Sequence, residues 1–362
     1  MSGTRRLRIG VVGCGAVAQV QHLPNLAFLR EEFEIAGLCD LSATLARSAA
    51  EEYRVPAWFT DLRDLLAADL DAVLLCQSDP KVSAALAVLE SGRHLLIEKP
   101  VAFVPEDVDR MARAAAHAGV VAQAAYMKLY DPAFRLLERE VGAMGPELRF
   151  AQVNHLHTDN RHHLAHFRLR RADDLPDPAL RETTALRNAD ADRALGDVPG
   201  HVRSAFFHLA GSMIHDLYGL RHLFGPPERV AATEIWSGGL GISTILGWAG
   251  GLRCAATWVE LERIRHFRET LEVYGPDRGV ILSYPTGFSR GQLSEVVIRG
   301  VSEEGEPFER RPAVDWESPF IAELRHFHAC VTEGEACRTP LAEARHDVQL
   351  VVDIARGAVQ PA

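Results

Sequence analysis

The sequence predicts an α/β chain: an N-terminal Rossmann domain followed by a C-terminal α+β domain with a large, mostly antiparallel sheet. Three observations carry this expectation. Apolar runs and helical patterns alternate from residue 7 to residue 128, the rhythm of a parallel sheet covered by helices on both faces. A GxGxxA turn, Gly13-Cys14-Gly15-Ala16-Val17-Ala18, parts the first strand from the first helix. Beyond residue 225, short apolar runs follow one another across Gly and Pro-Gly turns, as antiparallel strands do.

Leu7–Val12 is an unbroken apolar run, expected of a strand buried on both faces. A helical pattern continues after the glycine turn through Arg30, and Phe33–Cys39 is the second strand. Ser42–Tyr53 reads as a helix, with the Ser42 hydroxyl placed to cap it. Asp71–Cys76, His94–Glu98 and Val120–Tyr126 supply further strands, and Val82–Glu90 and Glu106–Ala118 the helices among them. The pattern changes after Asp131-Pro132. A helix at Phe134–Val141 and a strand near Leu148–Leu156 lead into residues 157–200. That stretch is polar and rich in Arg, Asp and Pro, and an irregular, lid-like segment is expected there. A helix over His201–Phe224 ends at Gly225-Pro226-Pro227. Strands are expected near 228–236, 241–249, 252–260, 267–275, 278–284 and 293–301, and helices over 318–332 and 341–357. The domains are thus 1–128, which binds a dinucleotide, and 129–362, which binds substrate; the last helices are expected to pack back on the first domain.

With 362 residues, 47% of them apolar and 24% charged, the chain is an ordinary globular one that can bury a large core. A net charge of −10 argues against a nucleic-acid partner. No apolar run is long enough for a membrane span. The six cysteines, at 14, 39, 76, 254, 330 and 337, form no CxxC pair. They read as free thiols of a reducing cytoplasm, and no metal site is expected. The basic residues are lopsided: of 39, only Lys81, Lys99 and Lys128 are lysines. Each follows a predicted parallel strand, at the sheet edge where ligands bind in open α/β folds. Lysine, unlike arginine, gives up its proton near neutral pH when its surroundings demand it.

In the GxGxxA turn, Gly13 permits the tight turn and Gly15 lets the backbone approach a pyrophosphate. Ala18 packs helix on strand, and the helix N-terminus at Ala16-Val17 faces the negative charge. Asp40 ends the second strand, where a carboxylate accepts hydrogen bonds from the adenosine ribose and repels a 2′-phosphate. NAD is therefore expected over NADP.

Together with the Glu98-Lys99-Pro100 tripeptide, these residues resemble the Gfo/Idh/MocA family of nicotinamide-dependent oxidoreductases. The likeness runs through Gly10–Ala18, Gly92–Pro100, Tyr126–Pro132, Ile214-His215-Asp216 and Phe320–Pro340. It implies that Glu98, Lys99 and Pro100 line the cofactor site, with Lys99 between nicotinamide and substrate. It also implies that His215, on a helix of the second domain, is the catalytic base, and that Tyr126, Lys128 and Tyr218 line the substrate side. Oxidising an alcohol requires a base for the hydroxyl proton and a cation for the developing alkoxide, and His215 and Lys99 suit these roles. The family's usual aspartate four residues before the histidine is Gly211 here, and Tyr218 stands where another acid is often found. Asp216 lies about 100° round the helix from His215. The resemblance further implies a sheet-mediated homodimer or homotetramer.

Residues 155–171 carry His155, His157, His162, His163 and His166 among four arginines, which suits a polar lid better than a metal site. His208, His215 and His222 are spaced by sevens and are expected to share one helix face. The expected activity is cytoplasmic, NAD-linked oxidation of a secondary hydroxyl on a sugar, cyclitol or glycoside. The alternatives are an enzyme that oxidises its substrate only transiently, for elimination, epimerisation or glycoside cleavage, and a non-catalytic NAD-binding sensor.

Overall fold

In this computed structural model residues 5–359 are described. Their contacts divide the chain into two compact units. The first comprises the chain up to Tyr126 with His166–Ala194 and Phe320–Val348; the second comprises Met127–Ala165, Leu195–Pro319 and the chain from Gln349 on. Two later segments thus belong to the first unit, the second of them carrying a C-terminal helix.

The first unit begins with β1 (Leu7–Val12), a π-helical turn at Ala18–His22, α1 (Leu23–Phe28) and β2 (Phe33–Cys39). There follow α2 (Ala43–Tyr53), β3 (Trp58–Phe59), α3 (Leu62–Leu66), β4 (Ala72–Leu75), α4 (Val82–Glu90), β5 (His94–Glu98), α5 (Pro105–Ala118) and β6 (Ala122–Ala125). The six strands pair in the order β3-β2-β1-β4-β5-β6, all parallel. That is the doubly wound order of dinucleotide-binding sheets. Burial follows composition: Ala72–Leu75 is buried at every position, as an all-apolar strand covered on both faces must be. Ser42 caps α2 by accepting a hydrogen bond from the Leu45 N–H.

The second unit carries α6 (Pro132–Ala143), β7 (Phe150–His157) and α7 (Asn160–Leu164). The chain continues with α8 (Asp177–Leu195), α9 (Gly200–His208), a π-helical turn at Leu209–Met213 and α10 (Ile214–Phe224). Strands β8 (Arg229–Trp236), β9 (Gly241–Gly247), β10 (Arg253–Glu260), β11 (Arg268–Tyr274), β12 (Arg278–Tyr284), β13 (Glu295–Val301) and β14 (Pro307–Arg310) complete it. With β7 they form an eight-stranded sheet, ordered β14-β13-β12-β11-β7-β10-β9-β8. Only the β7–β10 pair is parallel. α10 lies against the sheet at Gly219, where a Cβ would be in ordinary contact with Phe134 at 3.5 Å and Leu271 of β11 at 3.7 Å. The chain ends with α11 (Pro319–Thr332) and α12 (Ala344–Gly357). Leu324 and Phe327 of α11 complete the first unit's core beside Leu7 and Phe33.

Several expectations are corrected. Residues 157–200 are not irregular throughout: α7 and the 19-residue α8 lie there. The α8 sequence is made of good helix formers but lacks an apolar stripe, so periodicity does not reveal it. The helix expected over 201–224 is interrupted by the π-helical turn at Leu209–Met213. β3, α3 and β14 are too short to leave a period. Among the described residues, no helix is long and apolar enough to cross a membrane.

Candidate active site

The glycine turn is built as its residues require. Gly13 has φ +90°, and a Cβ there would lie 2.4 Å from the Gln77 backbone nitrogen, so only glycine fits. A Cβ on Gly15 would meet no protein atom within 4 Å, which leaves that backbone open to a ligand. Asp40 follows β2 and turns back on this loop. Its Oδ2 accepts the Cys14 N–H at 2.7 Å and its Oδ1 the Ser42 N–H at 2.8 Å. A bare glycine face, a helix opening behind it and a carboxylate at the second strand's end fit a dinucleotide's pyrophosphate and ribose.

The 98–100 turn is held from behind. Glu98 is buried, with Oε1 2.8 Å from His22 Nε2 and Oε2 accepting the Lys99 N–H at 3.1 Å. Burial alone would raise the Glu98 carboxyl, but the His22 hydrogen bond and the nearby Lys99 and Lys81 hold it below its ordinary value. His22 comes from the π-helical turn after the glycine loop, so loop and tripeptide are joined through one buried pair. Lys81 is only 3% exposed. Its Nζ pairs with Asp79 and donates to the Pro100 carbonyl at 3.1 Å. The uncommitted lysine of the sequence is thus a brace for this turn. Lys99 itself stays half-buried.

Residues 166–175 strap across the same unit. The Arg170 N–H donates to Gln19 Oε1 at 2.9 Å, and Gln19 Nε2 donates to the carbonyls of Arg170 and Cys14 at 3.0 and 2.8 Å. Asp174 binds the Ser42 hydroxyl, the Thr44 N–H at 2.9 Å and the Thr44 hydroxyl at 3.0 Å. The Ser42 hydrogen bond holds the Asp174 carboxyl below its usual range. A second carboxylate therefore sits at the N-terminus of α2, one residue-link from Asp40.

In the second unit, Lys128 lies in a one-turn helix at Met127–Tyr130. Its ammonium pairs with Glu269 of β11 and lies 4.3 Å from the centre of the Tyr284 ring. β7 is registered so that His155 stands opposite both Glu269 and Trp258. His155 Nδ1 is 2.8 Å from Asp216 Oδ2. Burial pushes the Glu269 carboxyl up, and Asp216 pushes it further against the pull of Lys128. Burial also opposes ionisation of Asp216, but His155 wins and holds that carboxyl low. His157 is neutral at pH 7, its pKa lowered to about 4 by burial and by His155. Trp258 is stacked on one side by His157 and on another by His208, with ring centres 5.7 and 4.7 Å away.

His215 has an answer to the missing carboxylate: its Nδ1 lies 2.7 Å from the Tyr218 hydroxyl, one helical turn on. That hydroxyl also accepts the Lys128 backbone N–H at 3.3 Å. Asp216 serves His155, not His215, as its angle on the helix requires. Tyr126, Lys128 and Tyr218 are each less than 5% exposed. Tyr218 meets His215 directly, and Lys128 meets Tyr218 through its backbone N–H. The spacing by sevens does not make one histidine face. The π-helical turn at Leu209–Met213 shifts the phase between His208 and His215, and His222 turns to Glu138 at 2.7 Å. The expected 155–171 lid is split: 155–157 belong to β7, 160–164 to α7, and 166–171 to the strap. Sequence reasoning missed His22, His155, Asp174 and Glu269. Glu269 carried no such signal, since β11 reads Arg-Glu-Thr-Leu-Glu-Val-Tyr and holds a second acid, Glu272.

Residues 7–126 match the family model described as the Gfo/Idh/MocA oxidoreductase family, NAD-binding Rossmann fold. An inositol 2-dehydrogenase of Burkholderia multivorans is 30% identical over 217 residues, which is 58% of this chain and 62% of that protein. An inositol 2-dehydrogenase/D-chiro-inositol 3-dehydrogenase of Shouchella clausii is 32% identical over 37% of this chain and 39% of its own length. The chain thus spans less than two thirds of these curated relatives. A levoglucosan dehydrogenase in complex with NADH aligns over 98% of this chain and 97% of its own, with a TM-score of 0.76 at 16% identity. A UDP-N-acetylglucosamine 3-dehydrogenase of Acidithiobacillus ferrooxidans aligns over 98% and 100%, with a TM-score of 0.73 at 18% identity. At such identities these two structures show a shared fold.

Removing one member of a buried ion pair strands the other, at about 3–5 kcal/mol. Glu269→Gln is expected to lose stability on that scale in chemical denaturation, and Glu269→Gln with Lys128→Met to recover part of it. A loss below about 1 kcal/mol for the single variant contradicts the pairing.

Proposed function

From a chain whose residues 7–126 belong to the Gfo/Idh/MocA oxidoreductase family, we propose an NAD-dependent dehydrogenase that oxidises a secondary hydroxyl of a sugar, cyclitol or glycoside. The observation that carries this reading is the Glu98-Lys99-Pro100 turn, braced by His22 and Lys81 while Lys99 stays half-exposed. A lysine displayed on an immobilised turn at the ligand edge of a parallel sheet suits work on a reacting group. NAD would be held by Gly13, Gly15, Ala16, Val17, Ala18 and Asp40, and supplies the hydride acceptor when bound.

The chain's own residues handle the proton and the charge. His215 accepts the hydroxyl proton, with Tyr218 fixing its ring. Lys99 stabilises the developing alkoxide and assists the proton transfer. His215 thus has a phenol on its Nδ1, where the resemblance implies a carboxylate beside the histidine. This feature favours the sensor as the second reading. The wider reading is a cytoplasmic homodimer or homotetramer with a small-molecule substrate.

The NAD preference rests on two carboxylates. Asp40 and Asp174 flank Ser42 at the start of α2, where a 2′-phosphate would meet both negative charges. Asp174→Ala is expected to raise NADP affinity relative to NAD on the order of tenfold. An unchanged ratio in paired cofactor titrations removes Asp174 from the account.

The activity itself is tested with a panel of polyols, sugars and glycosides, following nicotinamide absorbance. Stoichiometric reduced cofactor is expected with at least one of them. Tight NAD binding with no turnover on the whole panel would favour the sensor. On an active substrate, Lys99→Arg should retain NAD binding and lose about 10²-fold or more in turnover, because arginine does not release its proton. Turnover within a few-fold of the parent would show that Lys99 has no such role.

A further inference from the structure

The first unit holds a cluster unrelated to the dinucleotide loop. His326 and Cys330 are four residues apart on α11, and so share a helix face. The turn after the helix, with Gly334 at φ +74°, brings Cys337 back beside them. Donor atoms of all three lie within 4.8 Å of one another. His326 Nε2 is 3.3 Å from Cys330 Sγ, and its other nitrogen, Nδ1, is 3.3 Å from the Glu335 carboxylate. We propose that His326, Cys330 and Cys337 form a binding site for a zinc-class divalent ion, with Glu335 as the outer carboxylate of the histidine.

The geometry suits that ion. Tetrahedral zinc, with Zn–S near 2.3 Å and Zn–N near 2.0 Å, holds a sulfur and a nitrogen about 3.5 Å apart and two sulfurs about 3.8 Å apart. Ligating imidazoles usually bind through one nitrogen while the other donates to a carboxylate, and this is the arrangement of His326 and Glu335. Two thiolates neutralise a divalent cation, so the buried site gains no net charge. Binding forms two Zn–S bonds and releases two thiol protons to solvent. The ion would displace the Arg338 N–H now 2.8 Å from Nε2; the fourth position is left to water.

The position suggests what the ion does. Past Cys337, Thr339 makes two hydrogen bonds to β6: its carbonyl accepts the Ala124 N–H at 2.9 Å, and its side-chain hydroxyl donates to the Ala124 carbonyl at 2.8 Å. The Cys337 thiol lies 3.6 Å from Gln123 Oε1 on the same strand. A metal at this corner would staple the end of α11 to the edge strand of the parallel sheet.

The test uses the full chain, reduced and stripped of metal, titrated with cobalt(II). One equivalent per chain is expected, with thiolate-to-cobalt charge-transfer and tetrahedral ligand-field bands, and zinc should displace it. Cys337→Ser should abolish the charge-transfer band. The milder, surface-exposed Glu335→Gln should fold normally and weaken zinc binding about 10-fold or more. The proposal fails if no thiolate band appears, if the band survives Cys337→Ser, or if Glu335→Gln binds zinc as the parent does. It also fails if thiol counting on the freshly isolated chain finds Cys330 and Cys337 joined as a disulfide.

Discussion

Lys128 and Glu269 form a buried ion pair on which the second unit's chemistry depends. Neither charge is tolerable there without the other. The pair is reached from four directions: the Met127–Tyr130 turn carries Lys128, β11 carries Glu269, β7 presents His155 opposite Glu269, and α10 supplies Asp216 to His155. The Lys128 backbone then reaches the Tyr218 hydroxyl, which holds His215. One ionic contact thus bears on the His215 ring indirectly, through the turn that carries Lys128. The requirement for lysine is that of a compact ammonium in a buried space shared with Glu269 and capped by Tyr284, which a planar guanidinium would not match.

The first unit solves a parallel problem with different groups. Its exposed lysine sits on a turn held by a buried His22–Glu98 pair and by Lys81 on the Pro100 carbonyl. The π-helical turn after the glycine loop is what brings His22 to Glu98, so the phosphate-binding loop and the 98–100 turn share one support. The turn that carries Lys99 is thus fixed from behind, by His22 on Glu98 and Lys81 on the Pro100 carbonyl.

Much of this was legible in the sequence. Gly13, Gly15 and Asp40 stand on a strand–turn–helix whose spacing follows local sterics, and the fold brings them together as that spacing requires. The parallel sheet and most strands of the larger sheet were readable because apolar period reports burial. What escaped depends on contacts distant in sequence. Asp174 reaches Ser42 from 132 residues away, and Glu269 reaches Lys128 from 141. The α8 helix has the propensity but no stripe. The helix over 201–224 was visible, but its π-helical turn was not, and that turn undid the inferred histidine face. Lysine scarcity marked three positions, yet only the structure separates a brace, an ion-pair partner and a displayed lysine.

In the proposed reaction a hydride passes directly from an alcohol carbon to NAD. A substrate deuterated at the carbinol carbon tests it, with the label followed by mass spectrometry and NMR. Stoichiometric deuterium in the reduced nicotinamide and a slowed reaction are expected. Deuterium returned to the product with no net cofactor reduction would contradict it, as would deuterium lost to water.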